Sequence, residues 1–160
     1  MSSVNIAHAA STAFSIGDKF EAYFPDPPVY EGVMGKGSIK YKSFSFTDEQ
    51  NIIIYGATYS VEPENSFARD IWGSLKNFVK GNASSVKGKL VYYDQVKVDS
   101  TPSAISQIDY RMDGVSVVKY SVVSYKDGRF FQWSVQYLPK YSKLDGEDVF
   151  IKYFRFFKVY

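Results

Sequence analysis

Between Ala104 and Tyr137, apolar and polar positions alternate with a period of two in three successive runs. Ile108, Tyr110 and Met112 alternate with Asp109 and Arg111. Val118, Tyr120 and Val122 alternate with Lys119, Ser121 and Val123, and Phe131, Trp133, Val135 and Tyr137 with Gln132, Ser134 and Gln136. That spacing sends successive side chains to opposite faces of a sheet. Asp113-Gly114 and Asp127-Gly128 separate the runs, and both pairs tolerate the positive φ that tight hairpin turns require. The stretch predicts a three-stranded antiparallel meander, around which the rest of the chain is arranged.

Upstream, Phe14–Phe24 reads as one strand, with Phe20, Ala22 and Phe24 on one face and Glu21 and Tyr23 on the other. Pro25, Pro27 and Pro28 end it, because Pro cannot donate to a ladder. Gly32, Gly35 and Gly37 loosen the next segment into a hairpin or loop. A strand over residues 38–47 and a polar turn over 48–51 follow. Ile52-Ile53-Ile54-Tyr55 lies in the most apolar run, 51–61, and a strand apolar on both sides belongs at the centre of a covered sheet. Lys89–Val98 predicts a further strand, and Asp99-Ser100-Thr101-Pro102 turns it into the meander.

Two segments carry helical spacing instead. Phe67, Ile71, Leu75 and Phe78 recur on one face, widened by Ala68, Trp72 and Val79. Asn65 or Ser66 is the expected N-cap and Gly81-Asn82 the expected end. Gly73 inside this helix costs on the order of 1 kcal/mol relative to Ala, so packing must hold it, with Trp72 as a core anchor. A second helix starts at Gly146 behind Asp145 as N-cap, with Glu147 and Asp148 at the positive end of its dipole. Val149, Phe150, Tyr153, Phe154 and Phe157 form its apolar face, and Lys152, Arg155 and Lys158 a solvated one.

Length changes the picture only by fixing a single domain: 160 residues suffice for one real core. Residues 1–13 read as a flexible tail and 14–160 as the domain. Ala7-His8-Ala9-Ala10 has the small-x-small form of a signal-peptidase site, yet no apolar segment of the required length precedes it. It is either the stump of a trimmed signal peptide or a chance match. The net charge of +2 comes from Lys and Arg scattered among acids. That is not the basic stripe of a nucleic-acid surface. No apolar run approaches the roughly 20 residues of a membrane-spanning helix.

Candidate chemistry is sparse. The chain has no Cys and one His, His8, which removes disulfides, thiolate metal sites, Cys nucleophiles and His-based triads together. GxSxG, Walker, dinucleotide and HExxH patterns are missing. Gly32–Gly37 is Gly-rich but opens no helix, so it cradles no phosphate. Asn82-Ala83-Ser84 has the N-glycosylation pattern, which matters only in a eukaryotic secretory setting. Glu62 with Glu64 and Asp94 with Asp99 are the acids a carboxylate hydrolase would need; at turns and strand ends such groups are ordinarily solvated. No catalytic, cofactor-binding or metal-ligating residue emerges, and the reading is that of a non-enzyme that needs no cofactor.

The order of elements resembles the PsbP-like superfamily, which includes an extrinsic photosystem II subunit, the envelope lipoprotein DcrB, a Ran-binding nuclear import factor and DcrB-like secretion chaperones. Phe20–Pro28 is similar to its opening strand, Ile54–Val61 to its apolar strand before the first helix, and Val96–Ala104 to its strand, turn and Pro. Gly128–Pro139 is similar to its G-R-x-Y-x-L-x-V strand, and Phe150–Phe157 to its closing aromatic helix. Ser103 replaces a frequent Gly, and Phe131-Gln132 departs from the Tyr pattern. The resemblance implies an α+β, α/β/α-type sandwich around a mostly antiparallel sheet of six or seven strands, and no shared catalytic residues. It also implies a periplasmic or exported accessory protein, with a cytoplasmic chaperone as the alternative.

Fourteen Tyr and thirteen Phe exceed what one core obviously needs. Tyr23, Tyr125 and Phe130 fall at phases opposite to the apparent core face. They are the candidate residues for docking a protein or peptide partner through an exposed aromatic surface. Two readings compete with this: helices bury that second face, or an apolar pocket between sheet and helix carries a small molecule or lipid.

Overall fold

A computed structural model of the chain describes residues 13–35, 40–63 and 70–160. The 104–137 meander is the heart of a seven-stranded antiparallel sheet. It comprises β3 (Val29–Met34), β4 (Tyr41–Asp48), β5 (Ile53–Ser60), β6 (Lys89–Val98), β7 (Thr101–Met112), β8 (Val115–Lys126) and β9 (Arg129–Tyr137), in the order β3-β4-β5-β9-β8-β7-β6. Asp113, Gly114, Asp127 and Gly128 have φ of 52°, 80°, 51° and 77°, the twist that matches two-residue hairpins to their strands. Asp99 and Ser100 adopt the same hand between β6 and β7.

The opening segment is two strands rather than one. β1 (Ala13–Ile16) pairs with β2 (Phe20–Tyr23) across Gly17 and Asp18, both at positive φ. A Cβ on Gly17 would lie 2.4 Å from the Tyr59 hydroxyl, so the turn also needs Gly for space. A short terminal strand, β10 (Lys158–Val159), pairs with β2 and completes a separate three-stranded sheet.

Each face of the large sheet has its own core. On one face Tyr55, Tyr59, Tyr120, Val122, Phe131, Trp133 and Val135 meet Phe20 of the small sheet, Phe24 just after it, and Val149, Phe150 and Phe157 near the C-terminus. On the other face α1 (Ile71–Ser85) lays Leu75 and Val79 over Ala104, Val123, Tyr125 and Phe130. Beside that contact the second face turns polar. Ser45, Gly56, Ser134, Ser121 and Ser106 stand in one row across β4, β5, β9, β8 and β7, and the Ser106 and Ser121 hydroxyls bond at 2.8 Å.

The helix boundaries differ from the sequence expectation. Asp70, not Asn65 or Ser66, caps α1 by accepting from the Gly73 N–H at 2.9 Å; Asn65, Ser66 and Phe67 lie outside the described residues. Gly81-Asn82 does not end α1, which runs to Ser85 before Lys87 takes a positive φ. The reason is tertiary. The Asn82 amide donates to Gln132 Oε1 at 2.7 Å, tying the last turn to the sheet. The same bond engages the one glycosylation-type Asn side chain. α2 (Gly146–Tyr153) starts behind Asp145 as expected but tightens into a 3-10 turn over Phe154–Phe156, which frees Phe157 to enter the core beside β10.

Candidate binding cleft

Tyr23, Tyr125 and Phe130 do not form an exposed surface. Tyr23 and Tyr125 are 4% exposed and Phe130 5%. Tyr23 stacks on Tyr153 with centroids 3.5 Å apart. Phe130 stacks on Phe78 of α1 at 4.5 Å and meets Tyr125 edge-on at 4.9 Å. Tyr125 and Phe130 do lie on the face opposite Tyr120, Val122 and Trp133, where α1 covers them, whereas Tyr23 packs into the same core as Phe20, Ala22 and Phe24. The aromatic surplus is consumed by two cores instead of one.

The apolar surface left open lies elsewhere, where α2 overhangs the β6 side of the sheet. Val91 and Tyr92 of β6, Ile105 and Gln107 of β7, and Tyr120 of β8 form the floor of a cleft of about 640 Å³. Glu147, Phe150, Ile151 and Phe154 form its wall. Register explains the floor. Tyr92 pairs with Gln107 and Gln107 with Tyr120, so the three side chains stand in one row on one face. A bulge between Leu90 and Tyr92 adds a residue to β6 and brings Val91 to the cleft as well.

The back of the cleft is rigid. Phe150 stacks against Trp133 at 5.3 Å and Tyr120 at 5.9 Å, and Tyr120 against Tyr137 at 6.2 Å. Burial raises the Tyr120 phenol above its ordinary range, helped by Tyr137 and by the Glu147 carboxylate, so it stays a neutral donor. It faces Glu147 Oε2 at 3.5 Å. The front is open: Ile151 is 65% exposed, Tyr92 50% and Val91 48%. The cleft lies between sheet and helix, where the sequence allows an apolar pocket, but no sequence pattern names its residues. Ile151 sits on the helix flank away from the Val149–Phe150–Tyr153 stripe, and its excess exposure follows from where α2 docks.

Two further clefts are smaller. One of about 420 Å³ lies between Tyr23, Tyr55, Tyr153, Asp48, Asp145 and Asp148. Lys152 sits at its rim, over the Tyr153 ring at 5.3 Å. The other, about 290 Å³, lies on the second face among Ile54, Tyr110, Met112, Val117, Gln136 and Leu138. Lys119 stands next to Gln136 and Ile108 in register, partly buried, and burial holds its pKa below the ordinary lysine value. Asp94 lies within β6 beside Tyr92, and Asp99 lies in the turn that follows β6. Among the described residues, no group of three His, Cys, Asp or Glu side chains converges as metal ligands, and no helix is long and apolar enough to cross a membrane.

No protein-family model and no curated protein sequence matches the chain. Solved structures do. The solution structure of cyanobacterial PsbP from Synechocystis sp. superposes with a TM-score of 0.66 at 15% identity, covering 100% of this chain and 99% of that one. The chain has the PsbP-like fold. A Pseudomonas aeruginosa protein of unknown function, PA94, described as a putative regulator, superposes with a TM-score of 0.49 at 8% identity over 81% of this chain and 83% of its own. The PsbP-like fold accounts for the seven-stranded antiparallel sheet with helices on both faces, and at these identities it accounts for nothing finer.

Proposed function

We propose that this chain is a non-catalytic accessory protein of the bacterial envelope that holds an apolar segment of a protein partner in the cleft between α2 and the β6 side of the sheet. The observation that carries the reading is the combination of a rigid aromatic back wall with an open, apolar front at Ile151, Val91 and Tyr92. Isolated exposed apolar side chains are ordinary, whereas a contiguous set around a concavity marks a binding surface. The cleft's open side suits a chain that enters and leaves, while a small-molecule carrier needs a ligand mostly enclosed. The envelope setting rests on the Ala7–Ala10 stretch and is tested by fractionating the native cells.

A fluorescein-labelled apolar peptide and dodecanoate, titrated separately and in competition, separate the two classes of ligand. Peptide binding that weakens at least tenfold in Ile151→Asp, with dodecanoate failing to compete, supports the reading. Saturable binding of dodecanoate alone overturns it in favour of a lipid carrier.

A further inference from the structure

β6 lies at the end of the large sheet and pairs only with β7, so among the described residues its outer backbone edge has no strand partner. It is ten residues long. Unpaired edges of this length template pairing with another chain, and proteins ordinarily blunt them. β6 carries the usual blunting devices, a bulge at Leu90–Tyr92 and lysines at Lys89 and Lys97, yet the open cleft lies beside that edge. A strand added outside β6 would have alternate side chains on the cleft face, next to Tyr92, Asp94 and Val96 and within reach of the overhanging Ile151.

Resting on the binding reading above, we infer that the partner segment docks as an eighth strand, running antiparallel to β6. We further infer that its cleft-facing residues follow the order apolar, basic, apolar, acidic. The sheet is antiparallel throughout, and an added strand that continues it keeps that sense. The order comes from the face of β6 that the segment would meet. Val96 and Tyr92 present apolar surface, Asp94 stands between them, and Lys89 closes the row. Tyr92 and Asp94 are confirmed as neighbours on one face by the hydroxyl-to-carboxylate bond at 3.3 Å. Opposite charges directly across a ladder are favourable and like charges are not. Main-chain hydrogen bonds then supply affinity and alternate side chains supply selectivity. A second copy of this chain is the less favourable occupant, because two β6 strands centred on Asp94 would oppose their carboxylates.

The test uses the labelled heptapeptide Leu-Thr-Lys-Thr-Leu-Thr-Glu and two N-methylated versions, one methylated at its odd positions and one at its even positions. In an added strand only alternate N–H groups face β6. One methylated set is therefore expected to bind at least tenfold more weakly than the parent, and the other within about threefold. Asp94→Lys is expected to weaken the parent and to favour the version with Glu in place of the central Lys. Equal binding by both methylated sets overturns strand addition while leaving cleft binding standing. No binding by the parent, with Ile151→Asp indistinguishable from wild type, overturns both. Sedimentation showing a dimer with β6 amides protected from hydrogen exchange assigns the edge to a second copy and also overturns the inference.

Discussion

The Trp133 indole donates its Nε1 hydrogen to the backbone carbonyl of Tyr23 at 2.9 Å. Both groups are buried, and the bond ties the centre of β9 to the last residue of β2, 110 positions earlier in the chain. Trp133→Phe leaves the Tyr23 carbonyl without this donor inside the core and opens space beside Phe150. Losing one buried hydrogen bond costs about 0.5–1.5 kcal/mol, and the lost ring volume adds to it. Urea denaturation is expected to show a lower midpoint with an unchanged slope; an unchanged midpoint would mean the bond contributes nothing.

Asp70 and Gly73 are coupled through the α1 cap. A Cβ on Gly73 would lie 2.4 Å from Asp70 Oδ2, the carboxylate whose other oxygen accepts from the Gly73 N–H. Asp70→Ala alone is expected to cost about 1 kcal/mol, the usual worth of an N-cap. Gly73→Ala gains about 1 kcal/mol of helix propensity but displaces the capping side chain, so alone it is expected to be near neutral. In the Asp70→Ala background the same substitution keeps its full gain. A double-mutant cycle by chemical denaturation reads the difference, and strict additivity would refute the coupling.

The cap shows where the sequence was legible and where it was not. The meander was readable to within a few residues because its period of two and its Asp-Gly turns are local. β6 was readable for the same reason. The Asp70 cap was missed because Asn65 and Ser66 are equally good local caps, and position along the chain does not reveal which turn packs. The helix overran Gly81-Asn82 because the Asn82–Gln132 bond spans 50 positions. The Gly17-Asp18 turn was overlooked because neither residue is the Asn-Gly or Asp-Gly pair that usually announces a hairpin. Tyr125 and Phe130 were assigned to the correct face but to the wrong environment, and Tyr23 was set apart from Phe20, Ala22 and Phe24 although all four share one core. Alternation gives the side of a sheet and says nothing of what covers it. The cleft was not readable from any local pattern, since it depends on where α2 crosses β8 and leaves β6 bare.

Gly146 controls that crossing. A Cβ there would lie 2.1 Å from Tyr137 Cδ1 and 2.6 Å from its Cγ, atoms at the base of a ring stacked on Tyr120. Ala is the better helix former, yet Gly146→Ala must push α2 off the sheet or rotate Tyr137. Overpacking of this kind costs about 1–3 kcal/mol. Thermal unfolding is expected at lower temperature, and peptide affinity in the cleft is expected to fall because Phe150 and Ile151 move with α2. Retained stability with lost affinity would show that α2 shifts without strain; a rise in stability would contradict the close contact.

Two sets of buried groups set the alkaline pH dependence in opposite senses. Burial holds the Lys119 ammonium below its ordinary 10.5. Between its folded pKa and 10.5 the unfolded chain binds more protons than the folded one, so stability rises with pH across that window. Tyr23, Tyr55 and Tyr120 are displaced the other way. Burial raises each above the ordinary 10.0, helped by Tyr153 at Tyr23, by Asp48 at Tyr55 and by Tyr137 at Tyr120. Their contribution is fully present below 10.0 and is lost as pH climbs through their folded values, because the unfolded phenols ionise first. Denaturation midpoints measured from pH 7 to 11 are therefore expected to rise toward pH 10 and then fall. Lys119→Met, which replaces the ammonium with an apolar chain of similar length beside Ile108, is expected to raise the midpoint at pH 7 and to abolish the rise. It leaves the descent in place. Tyr120→Phe is expected to shallow the descent and spare the rise. A rising limb that survives in Lys119→Met would show that another group, and not this lysine, carries the desolvation cost.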